Sequence, residues 1–257
     1  MLTLVNKTSI ITGASSGIGK ATAILFSQLG SKLVLVGRDE SALDQTITLC
    51  NPELKNDIIK VSGDLCNSDT CKKIVEQAVN KFGTINILVN AAGILKAGSL
   101  ENMKMEDYDL SMDTNVKSAM ILTQLCLPYL IKEKGSVVNV SSVTGTRSFP
   151  GVLPYCISKA ALDQFTKCVA LEVADKGVRV NSVNPGVIVT NLHRRAGQSE
   201  EVYAKFLENC KNTHALGRPG TGEEVARTIA FLASDNASFI TGELVHVDGG
   251  RHAMTPR

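Results

Sequence analysis

Tyr155 and Lys159 stand four residues apart in Tyr155-Cys156-Ile157-Ser158-Lys159, at the start of a segment that reads as a helix running to about Asp175. Side chains at i and i+4 share a helix face. A free phenol titrates near ~10, poorly matched to proton exchange at neutral pH. An ammonium group one turn away stabilises the phenolate and is expected to lower that value. The pair reads as a general acid or base for an oxygen that gains or loses a proton. By itself this spacing also describes a packed ring beside a solvated charge, so the rest of the chain decides.

Thr12-Gly13-Ala14-Ser15-Ser16-Gly17-Ile18-Gly19 follows a β-branched run, Thr8 to Thr12, and opens a helix from Gly17 to Leu29 that Gly30 ends. Strand, glycine turn and helix N-terminus in that order suit a pyrophosphate. The glycines let the backbone turn tightly, and unpaired N–H groups at the helix start favour an anion. A dinucleotide that delivers hydride to a carbonyl leaves an alkoxide, which an acid such as Tyr155 must protonate in the same encounter. The positive ring of the oxidised dinucleotide would further favour the phenolate.

Holding these groups requires a scaffold, and the chain supplies one. Short apolar runs at Lys32–Val36, Ile58–Val61, Ile85–Val89, Val137–Val140, Val178–Val183 and Leu244–Val247 join Thr8–Thr12 to make seven strands. Helical spacing separates most of them, as in the stretch with Ile74, Ala78 and Phe82, which Asn67 or Ser68 starts and Gly83 ends. Crossovers of that length imply a parallel sheet. The pattern predicts one α/β domain over residues 1–257, a Rossmann-type doubly wound sheet of seven parallel strands with helices on both faces. Residues 191–220 show no long element and read as a mobile lid.

With T-G-x-x-x-G-x-G, N-x-A-G at Asn90-Ala91-Ala92-Gly93, then Asn115, Ser142 and Y-x-x-x-K, the chain resembles the short-chain dehydrogenase/reductase (SDR) family over its full length. It is similar to the 3-oxoacyl-(acyl-carrier-protein) reductase-like and carbonyl reductase members. One departure is Ala91 in Asn90-Ala91-Ala92-Gly93, where many members carry a second Asn, which loosens a hydrogen bond at the sheet centre. The resemblance implies Tyr155 as acid or base, with Lys159 also holding the nicotinamide ribose. It implies Ser142, thirteen positions ahead of Tyr155, as the donor to the substrate oxygen, with Ser141 a neighbouring competitor. Asn115 would bend its helix and place a water in a proton relay. Cofactor contacts are expected from Gly13, Ser15, Ser16, Gly17, Ile18, Gly19, Arg38, Asp64, Leu65, Asn90, Ala91, Gly93, Tyr155 and Lys159. After the sixth strand they are expected from Pro185, Gly186, Ile188 and Thr190.

The end of the second strand, Val36-Gly37-Arg38-Asp39-Glu40, sets the choice of dinucleotide. An acid there accepts from a ribose 2′-hydroxyl, whereas a guanidinium grips a 2′-phosphate. Arg38 predicts NADP(H) over NAD(H). Asp39 reads either as the N-cap of the next helix or as a ribose ligand, and Asp64 as an adenine contact or a turn carboxylate.

Among 257 residues, 27 Lys and Arg face 25 Asp and Glu, which gives no reason to expect nucleic acid. No apolar run is long enough for a membrane helix. The four histidines lack metal-ligand spacing, and no metal is expected. Seven scattered cysteines and an opening segment interrupted by Thr3, Asn6 and Lys7 predict a cytoplasmic protein without a secretory signal. The expected partners are a carbonyl or alcohol substrate and, as the resemblance implies, further copies of the chain, as a dimer or homotetramer pairing through helices near 106–133 and 153–174 and through the C-terminal strand region. Leu95, Val143, Phe149, Val152, Leu153, Leu192 and Phe206 are candidates for an apolar pocket, and His193-Arg194-Arg195 for contact with an acidic carrier. The readings are a carbonyl reductase or alcohol dehydrogenase, a 3-oxoacyl thioester reductase, and a protein that binds NADP(H) without turnover.

Overall fold

The computed structural model describes residues 2–255. Seven strands, β1 (Thr8–Thr12), β2 (Lys32–Gly37), β3 (Ile58–Ser62), β4 (Ile87–Asn90), β5 (Ser136–Val140), β6 (Arg179–Pro185) and β7 (Leu244–Val247), form one sheet in the order β3-β2-β1-β4-β5-β6-β7. Every pairing is parallel, with Thr8 opposite Lys32 and Ser136 opposite Arg179. The chain works outward from β1 to β3, then crosses to β4 and works outward the other way. β1 and β4 therefore flank the point where the winding reverses, and a crevice opens there beyond the strand ends.

Both faces of the sheet are covered, which is why the strands read as unbroken apolar runs. Alternate residues go to opposite sides. Ile11, Leu33, Leu35 and Val89 pack with Phe26 of α1 (Gly17–Gln28), Leu43 of α2 (Glu40–Thr48) and Val225 and Ile229 further on. Their neighbours Ile10, Val34, Val36 and Leu88 face the other way, against Ile74 of α3 (Ser68–Phe82) and residues described below. Asn67 caps α3 by accepting from the Asp69 N–H, and Gly83 ends it with φ of 79°. That conformation suits glycine.

The fourth crossover carries α4 (Met105–Met112), a π-helical turn over Asp113–Lys117, and α5 (Ser118–Glu133) as one continuous rod. The next, α6 (Leu153–Val173), follows a tight turn at Val143–Gly145. Leu122, Cys126 and Leu130 of α5 and Ala170 and Val173 of α6 complete the second core. Beyond β6, the segment predicted to lack long elements contains three helices: α7 (Leu192–Arg195), α8 (Glu200–Glu208) and α9 (Cys210–Thr213). Ser199 accepts from the Val202 N–H, and Glu200 and Glu201 stand in the first turn of α8. That cap and those charges start a helix that apolar content alone did not announce. Last comes α10 (Gly222–Ala233), which begins with a capping box between Thr221 and Glu224 and brings Val225 and Ile229 to the first core.

Candidate active site

A cavity of about 460 Å³ lies beyond the C-terminal ends of β1, β4, β5 and β6. The glycine turn forms one end. Gly13 has φ of 67°, and a Cβ there would stand 2.7 Å from the Ala91 carbonyl oxygen. A Cβ on Gly19 would collide with the Gly13 carbonyl. The turn is thus pressed against the exit of β4, and the Thr12 hydroxyl fastens the two by accepting from the N–H groups of Ala91 and Ala92, each at 3.0 Å. These bonds use backbone donors, so Ala91 loses none of them for lack of an amide side chain. Ser16, at the N-cap of α1, makes no side-chain bond to the helix, and no acid occupies the first turn. Free N–H groups and the helix dipole are left for an anion.

Arg38, Asp64 and Leu65 line the same cavity. Asp39 accepts from the Ala42 N–H at 3.0 Å and caps α2, the first of the two roles open to it in the sequence. Asp64 accepts from the Cys66 N–H at 3.0 Å, so its carboxylate shapes its own turn while facing the cavity. Asn90 departs from expectation. It does not line the cavity; its amide donates to Asn139 Oδ1 at 2.9 Å and to Thr123 at 3.3 Å inside the sheet. The residue ends a strand whose side chain points into the core, and Ala91, Ala92 and Gly93 meet the crevice in its place.

Ser142, Tyr155 and Lys159 stand together on the opposite wall. Tyr155 and Lys159 come from the first two turns of α6, and Ser142 from the end of β5, where it accepts from the Thr144 N–H at 3.1 Å. Ser141 spends its hydroxyl on the Lys159 carbonyl at 3.2 Å, while Ser142 is the serine whose side chain acts on Tyr155, favouring its phenolate. Lys159 Nζ lies 5.7 Å from the Tyr155 ring centroid and donates to the Val140 carbonyl at 2.8 Å. The expected lowering of the phenol is reversed. Burial pushes Tyr155 up to about 12, against the pull of Ser142. Burial also takes Lys159 down to about 8, opposed by Asp163. Desolvation of a charged form outweighs help at this distance.

Asn115, 1 % exposed, sits in the π-helical turn between α4 and α5. A π turn displaces a residue from the regular ladder and commonly marks a functional position. Its amide spans both backbone groups of Ile94 and donates to Ser158 at 3.0 Å. It braces the cavity wall from behind.

The family described as Enoyl-(Acyl carrier protein) reductase matches residues 13–252. The chain is an SDR oxidoreductase. It is 40% identical to the 3-oxoacyl-(acyl-carrier-protein) reductase FabG of Thermotoga maritima, over 96% of this chain and 98% of that one. It is 36% identical to a meso-2,3-butanediol dehydrogenase of Serratia marcescens, over 96% and 95%. Among solved structures, a short-chain dehydrogenase/reductase of unknown function from Caenorhabditis elegans, crystallised with cofactor, superimposes with a TM-score of 0.92 at 34% identity, covering 98% of this chain and 97% of that one.

A nicotinamide dinucleotide, the cofactor of SDR enzymes, fits the residues present. A Cβ on Gly93 would stand 3.2 Å from Asn115 Oδ1 and 3.5 Å from Lys159 Nζ, so the bare glycine keeps open the space beside those polar groups. Gly17 faces Thr190 in the same way, at 3.1 Å. Pro185, Gly186, Ile188 and Thr190 line the same cavity.

Two histidines take places at the site that their spacing in the sequence did not indicate. His214 is buried, and its Nε2 accepts from the Val187 N–H at 3.1 Å, fixing the strand exit that follows Pro185. His193 lines the cavity with a buried Nδ1 that has no partner, and its ring packs 4.6 Å from Phe206. Burial, with Arg251, pushes its pKa down. Leu95 and Leu192 line the cavity as expected, whereas Val143, Phe149, Val152, Leu153 and Phe206 do not. The basic triplet also divides. Arg194 forms a two-bond pair with Glu200 (2.6 and 3.0 Å) and covers the Tyr203 ring at 4.4 Å. Arg195 turns inward, to Ser16 at 3.1 Å. Among the described residues, no group of three metal-ligating side chains occurs, and no helix is long and apolar enough to cross a membrane.

Proposed function

We propose that this SDR interconverts a ketone and a secondary alcohol with NADP(H), using Tyr155 as the general acid or base. One observation carries the reading: Ser142, Tyr155 and Lys159 share a cavity whose far end is the glycine turn and Arg38. The bound nicotinamide supplies or accepts the hydride. With its pKa near 12, Tyr155 is protonated at neutral pH and can hand its proton to a carbonyl oxygen as negative charge gathers there. Ser142 is placed to donate to the same oxygen. Lys159, still largely charged at neutral pH, offers its remaining N–H bonds to the ribose hydroxyls and favours the phenolate left behind. Arg38 supports NADP(H), since among the described residues it has no carboxylate partner and its fork suits a 2′-phosphate.

A 3-oxoacyl thioester is the second reading, favoured by the name of the 40%-identical relative. The foreseen carrier contact through Arg194 and Arg195 draws no support from their positions, because each already has a partner within the chain. The whole length acts as one domain with a lid over 191–220. Copies would pair through α5 and α6, on which Met120 and Leu171 present apolar side chains to solvent.

The test is oxidation of NADPH and NADH, followed by absorbance, against simple ketones, 1,2-diketones and a 3-oxoacyl thioester. Turnover with NADPH preferred is the expected result, and the better substrate class separates the two readings. Binding of NADPH without turnover of any of them would favour a sensing protein and sink the acid–base role.

A further inference from the structure

Consecutive residues on a helix project about 100° apart, so a residue fixed on one side commits its neighbour to another. On α7, Arg194 is held against α8 by Glu200 and Tyr203. Tyr203 in turn accepts from the Thr190 N–H at 3.3 Å and donates to the Thr190 carbonyl at 3.1 Å, so the lid from Thr190 to Tyr203 is one tied unit. Its other side carries Arg195 across to the glycine turn, where Nη1 donates to Ser16 Oγ at 3.1 Å.

There Arg195 borders a second cavity, of about 250 Å³, whose other walls are Ser15, Arg38 and Asp39. Two guanidinium groups thus face one small space, and among the described residues neither has a carboxylate within salt-bridge distance. The single acid there, Asp39, has its Oδ1 turned to the Ala42 N–H as a helix cap. The glycine turn itself, residues 12–19, holds no basic side chain. Two cations brought together without a counter-charge repel each other, and an anion between them removes that cost. Ser15 and Ser16 add hydroxyl donors at the same place.

We propose that Arg195 is a lid-borne specificity residue that closes with Arg38 on the 2′-phosphate of NADP(H), a role that rests on the NADP(H) reading above. The second cation for the phosphate then comes from the lid, 157 residues beyond Arg38 in the chain. NADPH holds the lid down against the glycine turn, and NADH, lacking the phosphate, does not. Cofactor choice and substrate enclosure are thereby one event.

Direct binding of NADPH and of NADH to the full chain, by calorimetry at fixed ionic strength, tests this in the wild type, Arg38→Ala and Arg195→Ala. Arg195 is exposed, and its removal should leave the fold intact, with NADH affinity as the control. Loss of one charge-assisted contact predicts NADPH binding about tenfold weaker in Arg195→Ala, with NADH unchanged. Limited proteolysis of residues 191–208 should be slowed by NADPH in the wild type and not in the variant. Equal weakening of both cofactors would place Arg195 on the pyrophosphate or in lid folding and overturn the proposal. Unchanged NADPH binding, with preference lost only in Arg38→Ala, would overturn it while leaving the NADP(H) reading standing. A wild type that does not distinguish the cofactors would overturn both.

Discussion

Asn115 holds Ile94 by both ends of its peptide backbone, accepting from the Ile94 N–H at 2.8 Å and donating to the Ile94 carbonyl at 3.0 Å. One side chain thus does the work of a neighbouring strand for a segment that has left β4 and forms the cavity wall. Its third bond, to Ser158, ties the wall to α6 between Tyr155 and Lys159.

Asn115→Ala should therefore act on stability as well as on turnover. It strands a part-buried donor and acceptor on Ile94, such groups being worth up to about 1–3 kcal/mol each when fully buried. The urea midpoint should fall with the slope of the transition unchanged. A variant as stable as the wild type would mean that water or a shifted backbone replaces the clasp, and that Asn115 does not position the wall.

Tyr155→Phe removes one hydroxyl and keeps the ring that packs beside Lys159. Turnover should fall by about 10²–10⁴-fold, the usual worth of a placed acid or base. NADPH affinity, measured by titration, should be unaffected. Retained turnover would move the proton transfer to another group, with Ser142 the first to examine.

Much of this site was legible because its signals are local. A strand buried on both faces is a run of apolar residues, as at Leu33–Val36, and a turn needing positive φ is a glycine, as at Gly13 and Gly17. Tyr155 and Lys159 declare their shared face by spacing alone. What the sequence hid depends on neighbours distant in the chain. The direction of the Tyr155 shift follows from burial, which no spacing encodes. Asn90 turns inward because Asn139 and Thr123 receive it. Arg194 and Arg195 look like one basic cluster until Glu200 and Ser16 take one each. For α8 the signal was present in Ser199, Glu200 and Glu201, but its apolar face is short and was outweighed by the glycines around it.

Lys159 should leave a mark on stability against pH. Unfolded, it keeps its proton to about 10.5; folded, it releases it near 8. Between those values the unfolded chain binds more protons, so stability rises with pH. Relative to Lys159→Met, the wild type should gain on the order of 3 kcal/mol across that window. Tyr155 has the opposite sign, folded about 12 against 10, so its contribution declines above pH 10. Urea midpoints from pH 7.5 to 9.5 isolate the lysine. Parallel curves for the two proteins would show that Lys159 is not held in a desolvated site.

His214 gives the acid-side counterpart. Its Nε2 accepts from the Val187 N–H, which assigns the ring proton to Nδ1, facing the Thr213 hydroxyl at 3.1 Å. Burial, then Arg251, lowers its pKa below the ordinary histidine value of 6.5. A histidine so shifted is neutral when folded while the unfolded chain takes up a proton, so stability is lost as pH falls through 6.5. Protonation would also turn Nε2 into a donor facing another donor and free the Pro185–Val187 segment. His214→Gln can still accept from Val187 but does not titrate. The stability difference between wild type and variant should shrink from pH 7.5 to 5.5, whatever His193 and His246 add to both. NADPH affinity should weaken over the same range in the wild type more than in the variant. A difference independent of pH would detach the cofactor segment from this histidine's charge.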